Sequence, residues 1–121
     1  MPRSKADVIR AIFAAYLAND RAFVEAAFTD DFRFSSPFDD NLDKPAYFER
    51  CWRDTGWIAQ HDLETILSEG DTAFVTYHCT SRDGRSFRNT EFFRFAGDRV
   101  SRVEVYFGPS WQNGAFQPAA R

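Results

Sequence analysis

The stretch from Asp71 to Gly108 constrains this chain most. It alternates apolar and polar residues over three long runs, broken by two short glycine-containing segments. Period two sends every second side chain to one face, so the stretch predicts an antiparallel meander. The first break, Asp83-Gly84, is a two-residue hairpin signal. It predicts Thr76 opposite Glu91 and His78 opposite Asn89. One face then carries Phe74, Phe93 and Phe95 together with Thr76, His78, Asn89 and Glu91. The second break has two readings. A four-residue loop, Ala96 to Arg99, would pair Phe93 with Arg102 and load the apolar face with charge. A three-residue Gly97-Asp98-Arg99 loop pairs Phe93 with Val103 and Glu91 with Val105, and the buried face selects it. Val103, Val105 and Phe107 then join the inner face. Arg102, Glu104 and Tyr106 point outward beside Phe92 and Arg94.

Upstream, the period changes to that of helices. Ser4-Lys5-Ala6-Asp7 has the form of a capping box, and Val8, Ile9, Ile12, Phe13, Tyr16 and Leu17 follow at helical spacing. Asn19-Asp20 ends this helix, and Asp20 caps a short second one with the stripe Phe23, Val24, Ala27 and Phe28. Thr29-Asp30-Asp31 breaks it. Phe32 to Ser36 alternates as a strand, with Phe32, Phe34 and Ser36 on one face, and Pro37 ends it. Residues 37–42 read as a polar loop. Asp43 and Pro45 open a third helix that runs to Gly56, with Tyr47 or Phe48, Cys51, Trp52 and Thr55 as its stripe. Trp57 to Leu67 reads as a strand, with His61, Leu63, Thr65 and Leu67 on one face. The tail beyond Gly108 holds Trp111 and Phe116 and is expected to pack over something. This order predicts a single α+β domain over residues 1–121, its helices covering one face of a curved, mostly antiparallel sheet. Such a sheet leaves a conical hollow beneath the helices.

Composition narrows the function classes. A chain of 121 residues buries roughly 65–70% of its unfolded surface, enough for a core. Fourteen Phe, three Trp and four Tyr favour a thick core or an apolar cavity. A net charge of −3 without a basic run argues against nucleic acid as a partner. No apolar stretch reaches the roughly 20 residues of a membrane span, and Met1 to Asp7 lacks the apolar core of a signal peptide. The expectation is a cytoplasmic protein that engages no membrane. Cys51 and Cys79 stand in unlike contexts and read as free thiols. Two histidines without carboxylates at ligand spacing give no metal site, and no cofactor is expected.

A histidine and a carboxylate among phenylalanines are either a costly core defect or a site. As a defect, His78 and Glu91 would be a structural pair satisfied by Thr76, Asn89 or an arginine. As a site, they would be diagonal neighbours with β-carbons roughly 7–8 Å apart, able to pass a proton near neutral pH. Ser36, Thr76 and Asn89 could then hydrogen-bond a ligand's oxygen, or be plain polar contacts. Tyr16, Tyr47, Trp52, Trp57 and Trp111 could line or close an apolar pocket with Val105 and Phe107, or simply fill the core. His61 could reach the cavity rim or sit at the surface.

Ala18-Asn19-Asp20, Phe28-Thr29-Asp30-Asp31-Phe32, Ser35-Ser36-Pro37 and the closing Glu91 to Gly108 pattern carry a resemblance. From about Asp7 to Gly108 the chain is similar to the NTF2-like superfamily and, within it, to the SnoaL-like group. The resemblance implies a cone-shaped fold and a homodimer. It spans isomerases, dehydratases, epoxide hydrolases, polyketide cyclases and non-catalytic members, so it implies no single reaction. Ketosteroid isomerases of the superfamily place a base just before the strand-ending Pro, where Ser36 stands here. They place an oxyanion Tyr on the first helix, where Ile12 stands, and a second donor where Glu91 stands. Polyketide cyclases of the SnoaL-like group are a closer match, with a His and an acid on the two central strands at places comparable to His78 and Glu91.

The expectation is therefore a protein that binds a small, largely apolar organic ligand. Its chemistry would be of the cyclase, isomerase or dehydratase kind, with Glu91 and His78 as catalytic residues. The alternative is a non-catalytic binding or dimeric scaffold module whose cavity its own side chains fill. Phe92, Arg94, Arg102, Glu104 and Tyr106 mix rings with charge on the outer sheet face, which suits a homodimer interface.

Overall fold

Capping chemistry sets the helices where the sequence signals put them. The computed structural model describes residues 4–52 and 57–117. Ser4 accepts a hydrogen bond from the Asp7 amide and opens α1, Lys5–Leu17. Asp20 caps α2, Arg21–Ala27, through the Phe23 amide. Asp43 caps α3, Lys44–Arg50, through the Ala46 amide, with Pro45 in its first turn. The third helix is shorter than its stripe suggests, and Thr55 and Gly56 lie outside the described residues.

The strands are β1 (Phe28–Ser36), β2 (Asp39–Asp43), β3 (Ile58–Glu69), β4 (Thr72–Ser81), β5 (Arg85–Ala96), β6 (Arg99–Gln112) and β7 (Ala115–Gln117). They form one sheet in the order β2-β1-β6-β5-β4-β3, with β7 against the end of β6. Only the β1–β6 pairing is parallel among the described strands. The strands depart from expectation in several places, and β1 already begins at Phe28, which helical spacing assigns to the second helix. The segment read as a polar loop forms β2, and the tail extends β6 and adds β7. Neither has strand composition; pairing with a formed neighbour places them. The acidic β2 lies at the sheet edge, where charge discourages further pairing.

The helices cover the concave face. Ile9, Ile12, Val24, Phe28, Phe32, Val75, Phe93 and Val100 are almost wholly buried there. Each such side chain contributes roughly 1.5–3 kcal/mol by leaving water. Phe28 and Phe32 stack at 4.0 Å between centroids, and Tyr47 sits edge-on to Phe32. No described helix is long and apolar enough to cross a membrane.

Register decides which polar residues join that core. The β4–β5 turn holds three residues, Arg82-Asp83-Gly84, rather than two. Gly84 takes φ +89°, and the Ser81 hydroxyl accepts the Arg85 amide at 3.1 Å to close the turn. Val75 therefore faces Glu91 and Tyr77 faces Asn89, while Thr76 faces Thr90 and His78 faces Arg88. This corrects the two-residue hairpin. One added residue reverses the face of β4, so Val75, Tyr77 and Cys79 point inward and Phe74, Thr76 and His78 point outward.

The β5–β6 register is as expected, with Phe93 opposite Val103 and Glu91 opposite Val105. Its turn is shorter, Gly97-Asp98, and a bulge at Ser101 takes up the difference. In β3, extra residues at Ala59 and Glu64 break the alternation. His61 and Leu63 face inward beside Cys79 and Tyr77. Beyond Glu64 the inward residue is Ile66, and Leu67 is 68% exposed.

Candidate functional site

The concave face and the helices enclose a cavity of about 230 Å³, walled mainly by aromatic and aliphatic side chains. It opens to a wider cleft of about 720 Å³, and Tyr16, Phe34, Cys51, Trp57, Ile58 and Val105 border both.

Glu91 lies on the floor of the cavity, on the central strand β5, in a cross-strand row between Val75 and Val105. Protein surrounds it, and only the cavity side stays open. The Tyr77 hydroxyl donates to Glu91 Oε2 at 2.6 Å. The Asn89 amide donates to the Tyr77 oxygen at 3.2 Å, and the Gly108 N–H donates to Asn89 Oδ1 at 3.3 Å. Each bond points its proton toward the next acceptor, so the chain polarises toward the carboxylate. Burial pushes the Glu91 carboxyl up from 4.5 to about 7, against the opposing pull of the Tyr77 bond. Near pH 7 both protonation states are populated, as a group that gives or takes a proton requires.

Tyr16 on α1 and Tyr47 on α3 also line the cavity, and their hydroxyls hydrogen-bond to each other. Burial raises the pKa of both phenols and of Tyr77, so all three stay protonated at neutral pH.

The histidine that reaches this cavity is His61, not His78. The His61 ring lies edge-on to Phe13 at 5.3 Å and to Tyr77 at 5.9 Å. Its Nδ1 is buried without a hydrogen-bond partner, and burial lowers its pKa, which keeps the ring neutral at pH 7. Its place on the Leu63 face of β3 was the available signal for this role.

His78 lies on the outer face, with Nδ1 4.0 Å from Asp62 Oδ2 and its ring 6.5 Å from Trp111. This corrects its assignment to the cavity: the longer turn turned it outward. Thr76 is corrected for the same reason, and its hydroxyl bonds that of Thr90 at 3.1 Å. Asn89 and Val105 line the cavity as expected, and Asn89 is committed to the Tyr77 chain. Ser36 and Phe107 border the cleft, where the Ser36 hydroxyl accepts the Phe38 amide. Trp57 stands at the junction of cleft and cavity, 41% exposed. Trp52 packs behind Tyr16 at 4.9 Å and does not line the cavity.

Among the described residues no three His, Cys, Asp or Glu side chains come together. The polar groups facing the cavity are hydroxyl, amide, imidazole and carboxyl. Cys51 and Cys79 form no disulfide, and burial pushes the Cys79 thiol up to about 12, which leaves it inert.

Comparison with known proteins agrees with this architecture. The model of the SnoaL-like domain family matches residues 9–103. An NTF2-like protein of unknown function from Cytophaga hutchinsonii superposes with a TM-score of 0.72 at 13% identity, covering 89% of this chain and 93% of that one. A candidate ketosteroid isomerase from Kribbella flavida gives 0.71 at 19% identity, covering 97% and 83%. A candidate polyketide cyclase from Sinorhizobium meliloti gives 0.69 at 20% identity, covering 82% and 93%. At these identities the likeness establishes the fold alone. No curated protein matches the chain by sequence.

Proposed function

This chain belongs to the SnoaL-like domain family and has the NTF2-like α+β cone fold, and from that premise we propose that it binds a small, largely apolar organic molecule and moves a proton on it. One observation carries the proposal. Glu91, poised near pH 7, lies at the floor of a cavity walled mainly by aromatic and aliphatic side chains. Tyr77 holds Oε2, which leaves Oε1 to meet the ligand. As a carboxylate, Glu91 would take a proton from a carbon next to a carbonyl. As an acid, it would return that proton elsewhere on the molecule. The Tyr16–Tyr47 hydroxyl pair would meet the ligand's oxygen from the helical side of the cavity. Reactions of the isomerase, cyclase or dehydratase kind need no more than this. The names given to the Kribbella and Sinorhizobium structures fall within the same range.

The rival reading, a scaffold whose own side chains fill the cone, is disfavoured by the 230 Å³ that remain open. Mass spectrometry of small molecules that copurify with the protein tests the proposal. An apolar compound retained by the wild type should be turned over. Glu91→Gln should bind it and leave it unchanged. A fully folded protein that retains and binds no such compound counts against the reading.

A homodimer through the outer sheet face belongs to the same proposal. Phe74 and Phe92 pair there at 5.3 Å, and Phe74 and Tyr106 are 48% and 54% exposed. Light scattering at micromolar concentration would show a dimer, and a monomer would remove this part of the proposal.

A further inference from the structure

The cleft outside the cavity differs in character from the cavity itself. Arg50, Arg82 and Arg85 border it together with Asp39 and Asp83. This concentration of cations stands in a chain whose net charge is −3. Both carboxylates already have partners. Asp39, its side chain 6% exposed, lies 3.6 Å from Arg50 Nη1. Asp83 accepts the Ser81 hydroxyl and, at 3.2 Å, the Arg85 amide.

The Arg85 guanidinium makes no close ion pair among the described residues, and it reaches the neighbouring Asp83 carboxylate only through its longer-range field. It lies over the ring of Phe87 at 5.7 Å, and Phe87 lines the inner cavity. A cation without a close ion pair therefore sits against a ring that also lines the apolar chamber. A ligand running from Glu91 outward would pass from apolar walls to a guanidinium.

We propose that Arg85, assisted by Arg50 across the cleft, holds a carboxylate at the outer end of the ligand. The substrate class is then an amphiphilic organic acid. Its apolar body lies in the cavity, the carbon beside its carbonyl meets Glu91, and its carboxylate stays at the partly wet mouth. A guanidinium suits this role, because its planar fork matches a carboxylate and its charge persists at any physiological pH. The inference rests on the cavity reading above and adds the ligand's far end.

The test uses benzoylpropionate, benzoylbutyrate and benzoylvalerate, each as the acid and as its methyl ester. Binding to the full chain is measured by calorimetry at low and high salt. At least one acid should bind about three- to tenfold more tightly than its ester, and salt should erode the difference because the mouth is exposed. Arg85→Gln should remove the preference and leave ester affinity unchanged, and Arg85→Lys should restore part of it. Arg85 is exposed and makes no side-chain hydrogen bond among the described residues, so both variants should fold. Equal affinity for acids and esters, or a preference that survives Arg85→Gln, overturns the carboxylate site and leaves the cavity reading standing. Failure of every acid and ester to bind overturns both.

Discussion

Tyr77 and Glu91 meet across β4 and β5, the phenol oxygen donating to Glu91 Oε2 at 2.6 Å. The two residues are diagonal rather than directly opposite, since Val75 faces Glu91 and Asn89 faces Tyr77. That offset lets the long phenol reach along the strand to the shorter carboxylate. The acid that lines the cavity is thereby held by its neighbour on β4 through one of its two oxygens.

Glu91 links stability to pH. Its folded pKa of about 7 exceeds the 4.5 of a free carboxyl, so the folded state binds the extra proton between those values. The contribution of Glu91 to stability is full below about pH 4.5, falls as pH rises from there to about 7, and levels off above it. The loss is about 3 kcal/mol at most. Glu91→Gln should flatten this fall. Urea denaturation between pH 4.5 and 8 checks it, and a variant with the wild-type slope refutes it.

Tyr77→Phe removes the bond that holds Glu91 down and leaves the Asn89 amide without its acceptor. The Glu91 midpoint should move above its present value of about 7. Stability at neutral pH should fall by about 1–3 kcal/mol. Carbon NMR of the labelled carboxyl would follow the midpoint, and an unchanged or lower value would break the proposed chain.

The two histidines should behave differently. His61→Leu keeps volume and removes a buried Nδ1 without a partner together with the ring's hydrogen bond to the Phe13 backbone, so the two effects should offset and stability should change by less than about 1 kcal/mol. It should also alter affinity for a cavity ligand. His78→Ala removes an outer-face pair at 4.0 Å and a loose ring contact with Trp111, and should change stability by less than about 0.5 kcal/mol. Ligand affinity should stay the same. Denaturation and calorimetry on both variants decide, and a His78 variant that loses binding contradicts the outward placement.

Gly108→Ala tests the far end of the chain of hydrogen bonds. A β-carbon there would stand 2.4 Å from the Arg88 carbonyl oxygen, so backbone must move. The displaced Gly108 amide would no longer hold Asn89. A loss of about 1–3 kcal/mol is expected, together with a shifted Glu91 midpoint. Destabilisation without any change at Glu91 would mean that the amide does not set the carboxyl.

The sequence carried the parts of this site that depend on a buried face. Glu91 opposite Val105 and Phe93 opposite Val103 were legible, because any other register would bury Arg102. The caps at Ser4, Asp20 and Asp43 were legible because their side chains act within one helical turn. His78 and Thr76 were misplaced by a single turn residue. Asp83-Gly84 suits a two-residue loop by composition, and the Ser81 hydroxyl that favours the longer one acts only once the turn has closed. His61 was half legible, since Glu64 reverses the alternation downstream and a polar residue on an exposed face leaves no trace of doing so. Nothing in Asp39–Asp43 announces a strand, because pairing with β1 supplies what composition lacks.

The bulge at Glu64 separates the size of the hollow from the identity of its walls. Residues on either side of it keep their partners, Leu63 with Tyr77 and Thr65 with Thr76, so Glu64 is surplus to the ladder. Deleting it would leave every side chain of β3 on its present face and take away a bend. The vessel would flatten while its lining stayed the same. Capacity here is written in strand length and chemistry in side chains, and each can be altered without rewriting the other.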